Sequence, residues 1–264
     1  MYAGVGIIGG TGLEKLLNLD ENLVFRWRGL KINYSRGYVG DVDVVFIPRH
    51  GPNHEYPPHR VPYEAYITLL KCLGVDRVIG FSAVGSLRLD LRPGSIVIPD
   101  NIIDFSLHGR TFFDEDVFHV DFTHPYCRSL SLELYRCLKK MGINVLWGYT
   151  YVSTYGPRFE SAAEIDFLRM VGGDIVGMTN IPESVLAREA GLHYTLVSVV
   201  SNYAAGIQSL ITEEEVYKVV SDVINGLAEG IYSCIPDVAK AILEDNCSRS
   251  GKIFFEVVRD DCEG

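Results

Sequence analysis

The sequence predicts a single α/β domain, and three features support this fold class. Short apolar runs such as residues 194–200 are rich in β-branched side chains and lack helical periodicity, as buried strands do. Segments with helical spacing separate these runs, which favours a sheet covered by helices. The 264 residues, 47% of them hydrophobic and 22% charged, can bury one large core. Because no repeat or linker interrupts the chain, we expect one domain over residues 1–264, with residues 245–264 as a loosely attached tail.

Residues 4–13 predict a strand followed by a tight glycine turn. The backbone N–H groups of such a turn can approach an anion closely, and the Thr11 hydroxyl adds another donor. A dinucleotide-binding loop is a competing interpretation, but residues 9–12 lack its full glycine spacing and no suitably placed acidic residue ends a following strand. A turn without a ligand is the other alternative. The pattern favours a phosphate loop.

The loop over residues 48–59 contains one arginine and three histidines among four prolines. Arg49 offers a planar fork of donors that suits phosphate oxygens. His50 and His54 can bind phosphate and sugar hydroxyls. Zinc is not expected because no cysteine or carboxylate lies at ligand spacing from these histidines. A solvated loop is the alternative, although prolines that stiffen a polar loop indicate a function.

Several segments have the apolar spacing of amphipathic helices. They cover residues 61–73, 130–141, 162–170, 183–190 and 212–231. The last segment begins with Thr212 as the N-cap, and acidic residues 213–215 occupy its first turn, where the helix dipole favours negative charge.

The expected strands place polar or small residues at their carboxyl ends, where α/β sheets bind ligands. These strands lie within residues 4–13 and 22–47 and at residues 77–82, 93–99, 145–153, 173–178 and 194–200. We expect Glu160, Met178, Thr179 and Asn202 to face one site. Small residues after the strand at 77–82 offer a second group of backbone N–H donors for an anion. The long loop over residues 104–124 is expected to have a functional or interface role.

Charge and cysteine content limit the partners and the location. The net charge of −10 argues against a nucleic-acid partner. No apolar run reaches the ~20 residues that span a bilayer, and no signal peptide precedes the first strand, so we expect a cytoplasmic protein. The six cysteines show no paired metal spacing and are expected to be mostly reduced. A disulfide between Cys247 and Cys262 is the alternative for a thermophile.

Five motifs occur in a fixed order: Ile-Ile-Gly-Gly-Thr-Gly (7–12), Arg-His-Gly-x-x-His (49–54), Ser-Ala-Val-Gly-Ser-Leu (82–87), Tyr-Gly-Pro-Arg-Phe-Glu (155–160) and Met-Thr-Asn-Ile-Pro-Glu (178–183). Together they resemble the trimeric purine nucleoside phosphorylases, and the methylthioadenosine/methylthioinosine phosphorylases are the most similar branch. The match covers roughly residues 4–230. The resemblance implies a mixed, barrel-like sheet wrapped by helices, and a homotrimer or a dimer of trimers.

The same resemblance implies phosphorolysis, in which orthophosphate displaces the purine from C1′ of a nucleoside without a cofactor. By position, phosphate would be held by Thr11, Arg49, His50, Ser82, Ala83 and Thr179. On the nucleoside side, His54 and the Met178 backbone would contact the ribose, and Phe159 would stack on the base. His119 would reach the 5′ end of the substrate in a neighbouring subunit. Asn202, Glu160 and His50 are the expected catalytic residues.

Three positions indicate which purine is bound. Methylthioadenosine phosphorylases carry aspartate at the positions of Asn202 and Ala204 and serine at the position of Glu160. The Asn202 amide can donate to O6 and accept a proton arriving at N7. An ionised Glu160 accepts from N1–H of hypoxanthine or guanine and repels the N1 lone pair of adenine. The resemblance thus implies a 6-oxopurine nucleoside, unless Glu160 is a surface carboxylate at a helix start.

The 5′ substituent stays open at this point. Residues 204–212 contain no histidine, and Ile207, Leu210 and Ile211 would suit a 5′-methylthio group, whereas His119 would suit a 5′-hydroxyl. Inosine, guanosine and 5′-methylthioinosine are therefore all candidate substrates in purine salvage. The alternatives are a 5′-methylthioadenosine phosphorylase of methionine salvage, a nucleoside hydrolase, an NAD enzyme and a purine-binding regulator.

Overall fold

A computed structural model of the chain describes residues 4–10, 19–107, 109–115, 117–243, 247, 254 and 261–262. The strands are β1 (Gly4–Gly9), β2 (Glu21–Trp27), β3 (Leu30–Val39), β4 (Val42–Pro48), β5 (Val75–Ser86), β6 (Ile96–Ile98), β7 (Asn101–Asp104), β8 (Val145–Trp147), β9 (Thr150–Ser153), β10 (Ile175–Gly177) and β11 (His193–Tyr203). The helices are α1 (Tyr63–Cys72), α2 (Arg128–Lys140), α3 (Ala162–Met170), α4 (Asn180–Glu189) and α5 (Glu213–Lys240).

The long strand β5 organises the sheet. Its first half pairs in parallel with β1 on one edge and β11 on the other, and its last residues pair antiparallel with β10. From β1 the sheet continues through β4 and β3 to β2, and from β10 through β9 to β7. Beyond β11 come β6 and then β8. The predicted α/β fold, with a mixed sheet flanked by helices, is confirmed.

Helices cover both faces of the central strands. Neighbouring residues of β1 enter different apolar clusters, because Ile7 packs with α2 and α5 whereas Ile8 packs with α1 and α4. On β5, Ile79 likewise joins the cluster that contains α2 and α5, and its neighbour Val78 joins the cluster that contains α1 and α4. Strands buried on both faces need apolar residues at consecutive positions, which explains the short unbroken apolar runs of the sequence.

Several elements differ from their predicted bounds, such as β5, which extends to Val75–Ser86, and two of the differences have clear physical reasons. Helix α5 continues past the expected end at Ile231 to Lys240, although Pro236 lies inside it and lacks an N–H donor. Buried side chains in this last part, such as Val238, pack into the core and keep the chain helical. The single strand expected over residues 145–153 is divided into β8 and β9 around Gly148, whose φ of +86° an extended strand does not allow.

The cysteines are more oxidised than expected. Disulfides join Cys72 to Cys262 and Cys137 to Cys234. The prediction of mostly reduced cysteines is therefore wrong, and so is the proposed pair of Cys247 with Cys262. Sequence spacing gave no warning, because the bonded residues are 190 and 97 positions apart.

The last twenty residues contact the core at their described positions. Phe254 is fully buried and packs edge-to-face on Phe112, and Cys262 is bonded to Cys72 in α1. The other residues of the expected loosely attached tail, 245–264, lie outside the described residues. Among the described residues, every helix is too short or too polar to cross a bilayer.

The burial of Phe254 predicts that Phe254→Ala lowers the free energy of unfolding by about 3–5 kcal/mol, since a large apolar side chain leaves a cavity. Urea unfolding followed by circular dichroism measures this change. Ile242→Ala is the control, because Ile242 is 84% exposed, and it should change stability by less than about 0.5 kcal/mol. Equal, small effects in both variants would contradict the packing of Phe254.

Candidate functional site

A cavity of about 410 Å³ lies at the carboxyl ends of β1, β4, β5, β10 and β11. It is lined by Gly10, Arg49, His50, His54, Pro57, Pro58, Ser82, Ala83, Val84, Gly85, Pro157, Phe159, Glu160, Val176, Gly177, Met178, Thr179, Ser201, Asn202, Ala204, Ile211, Glu213 and Val216. Nearly all residues predicted for the site therefore meet around one cavity. Its position agrees with the expected edge of the sheet.

Arg49 follows β4 directly and is held by a buried ion pair with Glu183 of α4. Nε and Nη2 donate to the two carboxylate oxygens at 2.6 and 2.7 Å, and both side chains are at most 1% exposed. Tyr194 donates to the same carboxylate at 2.7 Å. Burial opposes the charge on Arg49, but Glu183 outweighs it and raises the pKa of Arg49, so the guanidinium stays charged.

The remaining donors of Arg49 bind backbone carbonyls of β1 and β5. Nη2 also donates to the carbonyl of Ile8 at 3.3 Å, and Nη1 donates to the carbonyl of Phe81. Since a guanidinium has five N–H groups, these four bonds leave one on Nη1. A Cβ at Gly10 would lie 2.9 Å from Nη1 and 2.6 Å from the Phe81 carbonyl. The glycine therefore keeps space open beside this donor.

Hydroxyl groups form the neighbouring wall of the cavity. Ser82 Oγ lies 3.4 Å from Thr179 Oγ1 and 3.4 Å from the hydroxyl of Tyr151. Thr179 comes directly before α4, and Ser82 and Ala83 lie within β5. Short hydroxyl side chains at two strand ends give neutral donors that can turn toward an anion.

His50 is neutral in the folded protein at pH 7. Burial, together with the neighbouring Arg49 charge and His54, lowers the pKa of His50 to about 4, although the carbonyl of Tyr56 acts in the opposite direction. Nδ1 donates to that carbonyl at 2.8 Å. In the neutral ring Nε2 must then be an acceptor. His50 therefore offers the cavity an acceptor for a hydroxyl or an acidic phosphate O–H.

Glu160 faces the cavity while a different glutamate caps helix α3. Ser161 is the N-cap, and Glu164 completes the capping box by accepting from the Ser161 N–H. Glu164 also pairs with Arg158. Glu160 lies one position before the cap, and its Oε1 accepts from the Thr154 hydroxyl at 2.6 Å. The alternative of a surface carboxylate at the helix start thus fits Glu164 instead.

A β-bulge aims Asn202 into the cavity. Val200 pairs with Val84 and Asn202 with Gly85, so Ser201 is an extra residue in β11. Asn202 is buried; its Oδ1 accepts from Ser201 Oγ at 2.7 Å, and its Nδ2 donates to the Tyr203 carbonyl at 2.9 Å. These bonds fix the amide plane and leave one N–H and one lone pair for a ligand.

The other predicted nucleoside contacts also border the cavity. His54 stacks on His50 with ring centroids 4.7 Å apart, and Phe159, Met178 and Ala204 line the wall. His119 is exposed and lies outside this lining, so its contact with a neighbouring subunit stays a prediction. Thr11 lies outside the described residues.

Sequence reasoning missed two contributions to the site. Glu183 was part of a recognised motif, but its buried pairing with Arg49 joins residues 134 positions apart. Glu213 and Val216 line the cavity from the first turn of α5. The acidic first turn was assigned to the helix dipole alone, and nothing local to it shows that α5 begins beside the cavity.

Comparisons with known proteins agree on one family. The model of the phosphorylase superfamily matches residues 5–233. The chain is 41% identical to the 6-oxopurine nucleoside phosphorylase of Pyrococcus furiosus, covering 89% of this chain and 93% of that protein. It is 42% identical to a probable S-methyl-5′-thioinosine phosphorylase of Thermodesulfovibrio yellowstonii, covering 84% and 86%.

Solved structures share the fold at lower identity. The methylthioadenosine phosphorylase of Schistosoma mansoni in complex with tubercidin has a TM-score of 0.83 at 27% identity, covering 98% of both chains. A methylthioadenosine phosphorylase from an Antarctic soil metagenomic library has a TM-score of 0.84 at 29% identity, covering 94% of this chain and 92% of that one.

The buried pair predicts a large effect of Glu183→Gln on stability. The substitution leaves the charge of Arg49 buried without its carboxylate, which costs about 3–5 kcal/mol. Chemical unfolding of Glu164→Gln gives the matched control, because that carboxylate pairs with Arg158 at the surface and should contribute at most about 1 kcal/mol. A Glu183→Gln variant as stable as the control would contradict the importance of the pair.

His50 predicts a specific dependence of stability on pH. The ordinary pKa of histidine is about 6.5, whereas His50 titrates near pH 4 in the folded state. Between these values the unfolded chain binds a proton that the folded chain does not, so stability falls as pH falls through this window, by about 3 kcal/mol at most. Unfolding curves from pH 7 to pH 4 should show a smaller loss for His50→Gln than for wild type. The exposed His124→Gln variant should follow wild type, and parallel curves for all three would contradict the assignment.

Proposed function

Because the chain belongs to the phosphorylase superfamily, we propose that it is a purine nucleoside phosphorylase for 6-oxopurine nucleosides. It uses orthophosphate to release hypoxanthine or guanine and forms ribose 1-phosphate or 5-methylthioribose 1-phosphate. The observation that carries this proposal is that Glu160 and Asn202 border the same cavity. Relatives named as 6-oxopurine nucleoside and S-methyl-5′-thioinosine phosphorylases support it.

Glu160 and Asn202 match the edge of a 6-oxopurine. Oε1 of Glu160 is already oriented by Thr154, and an ionised carboxylate accepts from the purine N1–H. The remaining N–H of Asn202 donates to O6, and its remaining lone pair accepts a hydrogen bond from N7–H after solvent water has protonated N7. Adenine presents an acceptor at N1 and a donor at C6, so both contacts become unfavourable. Sites that bond a required group reject analogues without it by roughly 10⁴–10⁵.

Phosphate is held mainly by neutral donors in this proposal. The charge of Arg49 is balanced by Glu183, so its contribution is the N–H that remains on Nη1. Ser82, Ala83 and Thr179 supply hydroxyl and backbone donors, and the family resemblance assigns Thr11 to phosphate as well. Neutral His50 accepts the O–H of a monoprotonated phosphate through Nε2, which orients a deprotonated oxygen toward C1′.

The reaction is an exchange at C1′ of the sugar. The bond to the purine breaks while positive charge develops on the ribose, and a phosphate oxygen forms the new bond. The Asn202 N–H donates to O6, where negative charge from the breaking bond accumulates, and lowers the barrier because the amide is already oriented. Glu160 holds the base in position through N1–H. Positioning of phosphate beneath C1′ provides the remaining acceleration. No covalent nucleophile, metal or cofactor is required.

The 5′ end of the substrate lies toward α5 in this proposal. Ile211 and Val216 offer an apolar surface for a 5′-methylthio group, whereas Glu213 offers an acceptor for a 5′-hydroxyl. His54 contacts the ribose, and Phe159 stacks on the base. We also propose a cytoplasmic homotrimer or dimer of trimers in which His119 reaches the 5′ end of a neighbour's substrate, as the family resemblance implies.

A substrate panel tests the function. Initial rates on inosine, guanosine, 5′-methylthioinosine, adenosine and 5′-methylthioadenosine are measured with and without phosphate. We expect phosphate-dependent cleavage of the 6-oxopurine nucleosides and little cleavage of the adenine nucleosides. Preference for adenine nucleosides would overturn the assignment of the base, and phosphate-independent cleavage would indicate a hydrolase. The ratio of methylthioinosine to inosine rates assigns the 5′ substituent.

Asn202→Asp is expected to shift this preference toward adenine nucleosides. A protonated aspartate donates to N7 and loses the amide donor to O6, so the ratio of kcat/KM for inosine over adenosine should fall by about 10–100-fold, the value of one charged hydrogen bond. Asn144→Asp is the matched control, because Asn144 is exposed and outside the cavity. An unchanged ratio in Asn202→Asp would remove Asn202 from base recognition.

A further inference from the structure

A second cluster of reactive side chains lies away from the cavity. Cys127, His193 and Cys247 each offer one ligand atom, and these atoms all lie within 4.8 Å of one another. The Sγ of Cys127 lies 3.2 Å from Nδ1 of His193. The two cysteines are 1% exposed and the histidine is 8% exposed. None of the three lines the nucleoside cavity.

The three residues come from distant parts of the chain. Cys127 is the N-cap residue of α2, and His193 is the first residue of β11. The backbone N–H of Cys127 donates to the carbonyl of Tyr194 at 2.8 Å, which fixes the start of α2 against β11. Cys247 lies beyond the end of α5. A ligand shared by all three would therefore connect the C-terminal region to the sheet.

The composition of the cluster suits zinc. Two thiolates and one imidazole are ligands that Zn²⁺ prefers, at about 2.3 Å for sulfur and 2.0 Å for nitrogen. Tetrahedral ligands at those bond lengths are separated by about 3.5–3.8 Å. The ligand atoms here lie within 4.8 Å of one another, so the most distant pair must approach by roughly 1 Å for all three to bind one zinc ion. Ser129 Oγ lies 3.5 Å from the Sγ of Cys127 and can supply, or hold a water in, the fourth position.

Charge also favours a divalent ion at this place. Two thiolates and Zn²⁺ sum to zero, which is important because an uncompensated charge is costly in a buried site. A monovalent soft ion such as Cu⁺ would leave a net negative charge. Hard cations such as Mg²⁺ and Ca²⁺ prefer oxygen ligands and do not match two sulfurs.

We propose that Cys127, His193 and Cys247 bind one zinc ion, which joins the C-terminal region to the start of α2 and β11. The site is structural, because it lies outside the cavity and its ligands are buried. Zinc binding then adds to the stability of the folded chain, since the unfolded chain does not hold the ligands together.

Metal analysis of the full-length protein tests the proposal. The protein is purified without reductant, so that its two disulfides stay intact, and is then equilibrated with zinc and desalted. We expect about one zinc ion per chain in wild type and a much lower content in Cys247→Ser and Cys127→Ser, since loss of even an outer-shell partner weakens metal binding about 10–100-fold. Serine is a favoured N-cap residue, so Cys127→Ser leaves the start of α2 intact. The chelated protein should unfold at a lower temperature than the zinc-loaded protein.

The disulfide variant Cys72→Ser is the matched control, because it removes a cysteine of the C-terminal crosslink but none of the ligands. It should keep its zinc. Phosphorolysis rates show whether each variant folds, and a folded wild type without activity would count against the proposed function but not against the zinc site. Should the ligand variants fail to fold, cobalt-loaded wild type decides the question through its thiolate-to-metal charge-transfer absorption. Absence of zinc and of the cobalt spectrum in wild type, or a Cys127–Cys247 disulfide found by mass spectrometry, would overturn the proposal.

Discussion

The bidentate ion pair between Arg49 and Glu183 is the interaction on which the arrangement of the site depends. It connects the loop after β4 to helix α4, and the same guanidinium bonds carbonyls of β1 and β5. One buried group thereby connects the ends of β1 and β4, the middle of β5 and the start of α4. Such a pair adds little net stability over apolar packing, but removing either partner is costly because the other charge is then buried alone. Its cost is consistent with a role in positioning the cavity wall.

The division of the cavity into two halves follows from this arrangement. On one side, the balanced charge of Arg49, the neutral ring of His50 and the hydroxyls of Ser82 and Thr179 create a wall of donors and one acceptor. On the other side, Glu160 and Asn202 present a carboxylate and an amide. The bulge at Ser201 is required here, because a regular strand would turn Asn202 to the opposite face of the sheet. Local irregularity in β11 thus gives this side of the cavity its geometry.

Much of this organisation was accessible from the sequence, and the exceptions share a cause. Strands, helices and the residues at strand ends could be predicted because their signals are local. These signals are the spacing of apolar residues, the residues that cap helices and the glycines and prolines of turns. The converging positions Arg49 and Asn202 could be predicted because parallel strands end at one edge. Thr179 reaches the same cavity for another reason, because β10 runs antiparallel to β5 and leads back along its second half. The disulfides and the pairing of Arg49 with Glu183 could not be predicted from the sequence, because each joins positions that are distant along the chain. The length of α5 also exceeded its prediction, because burial of its last turns overrides the local effect of Pro236.

The two crosslinks have a consequence for the denatured chain. The bond from Cys72 to Cys262 encloses the bond from Cys137 to Cys234, so the loops are nested over 190 and 97 residues. Closing a loop of the larger size removes conformational entropy worth about 5 kcal/mol in the chain-entropy model. The oxidation state of the surroundings therefore sets how far the unfolded ensemble can expand, while the residues around the nucleoside cavity remain chemically the same. Thermal endurance thus has one source, the crosslinks, whose cysteines lie outside the cavity lining, in addition to the buried ion pair beside the cavity.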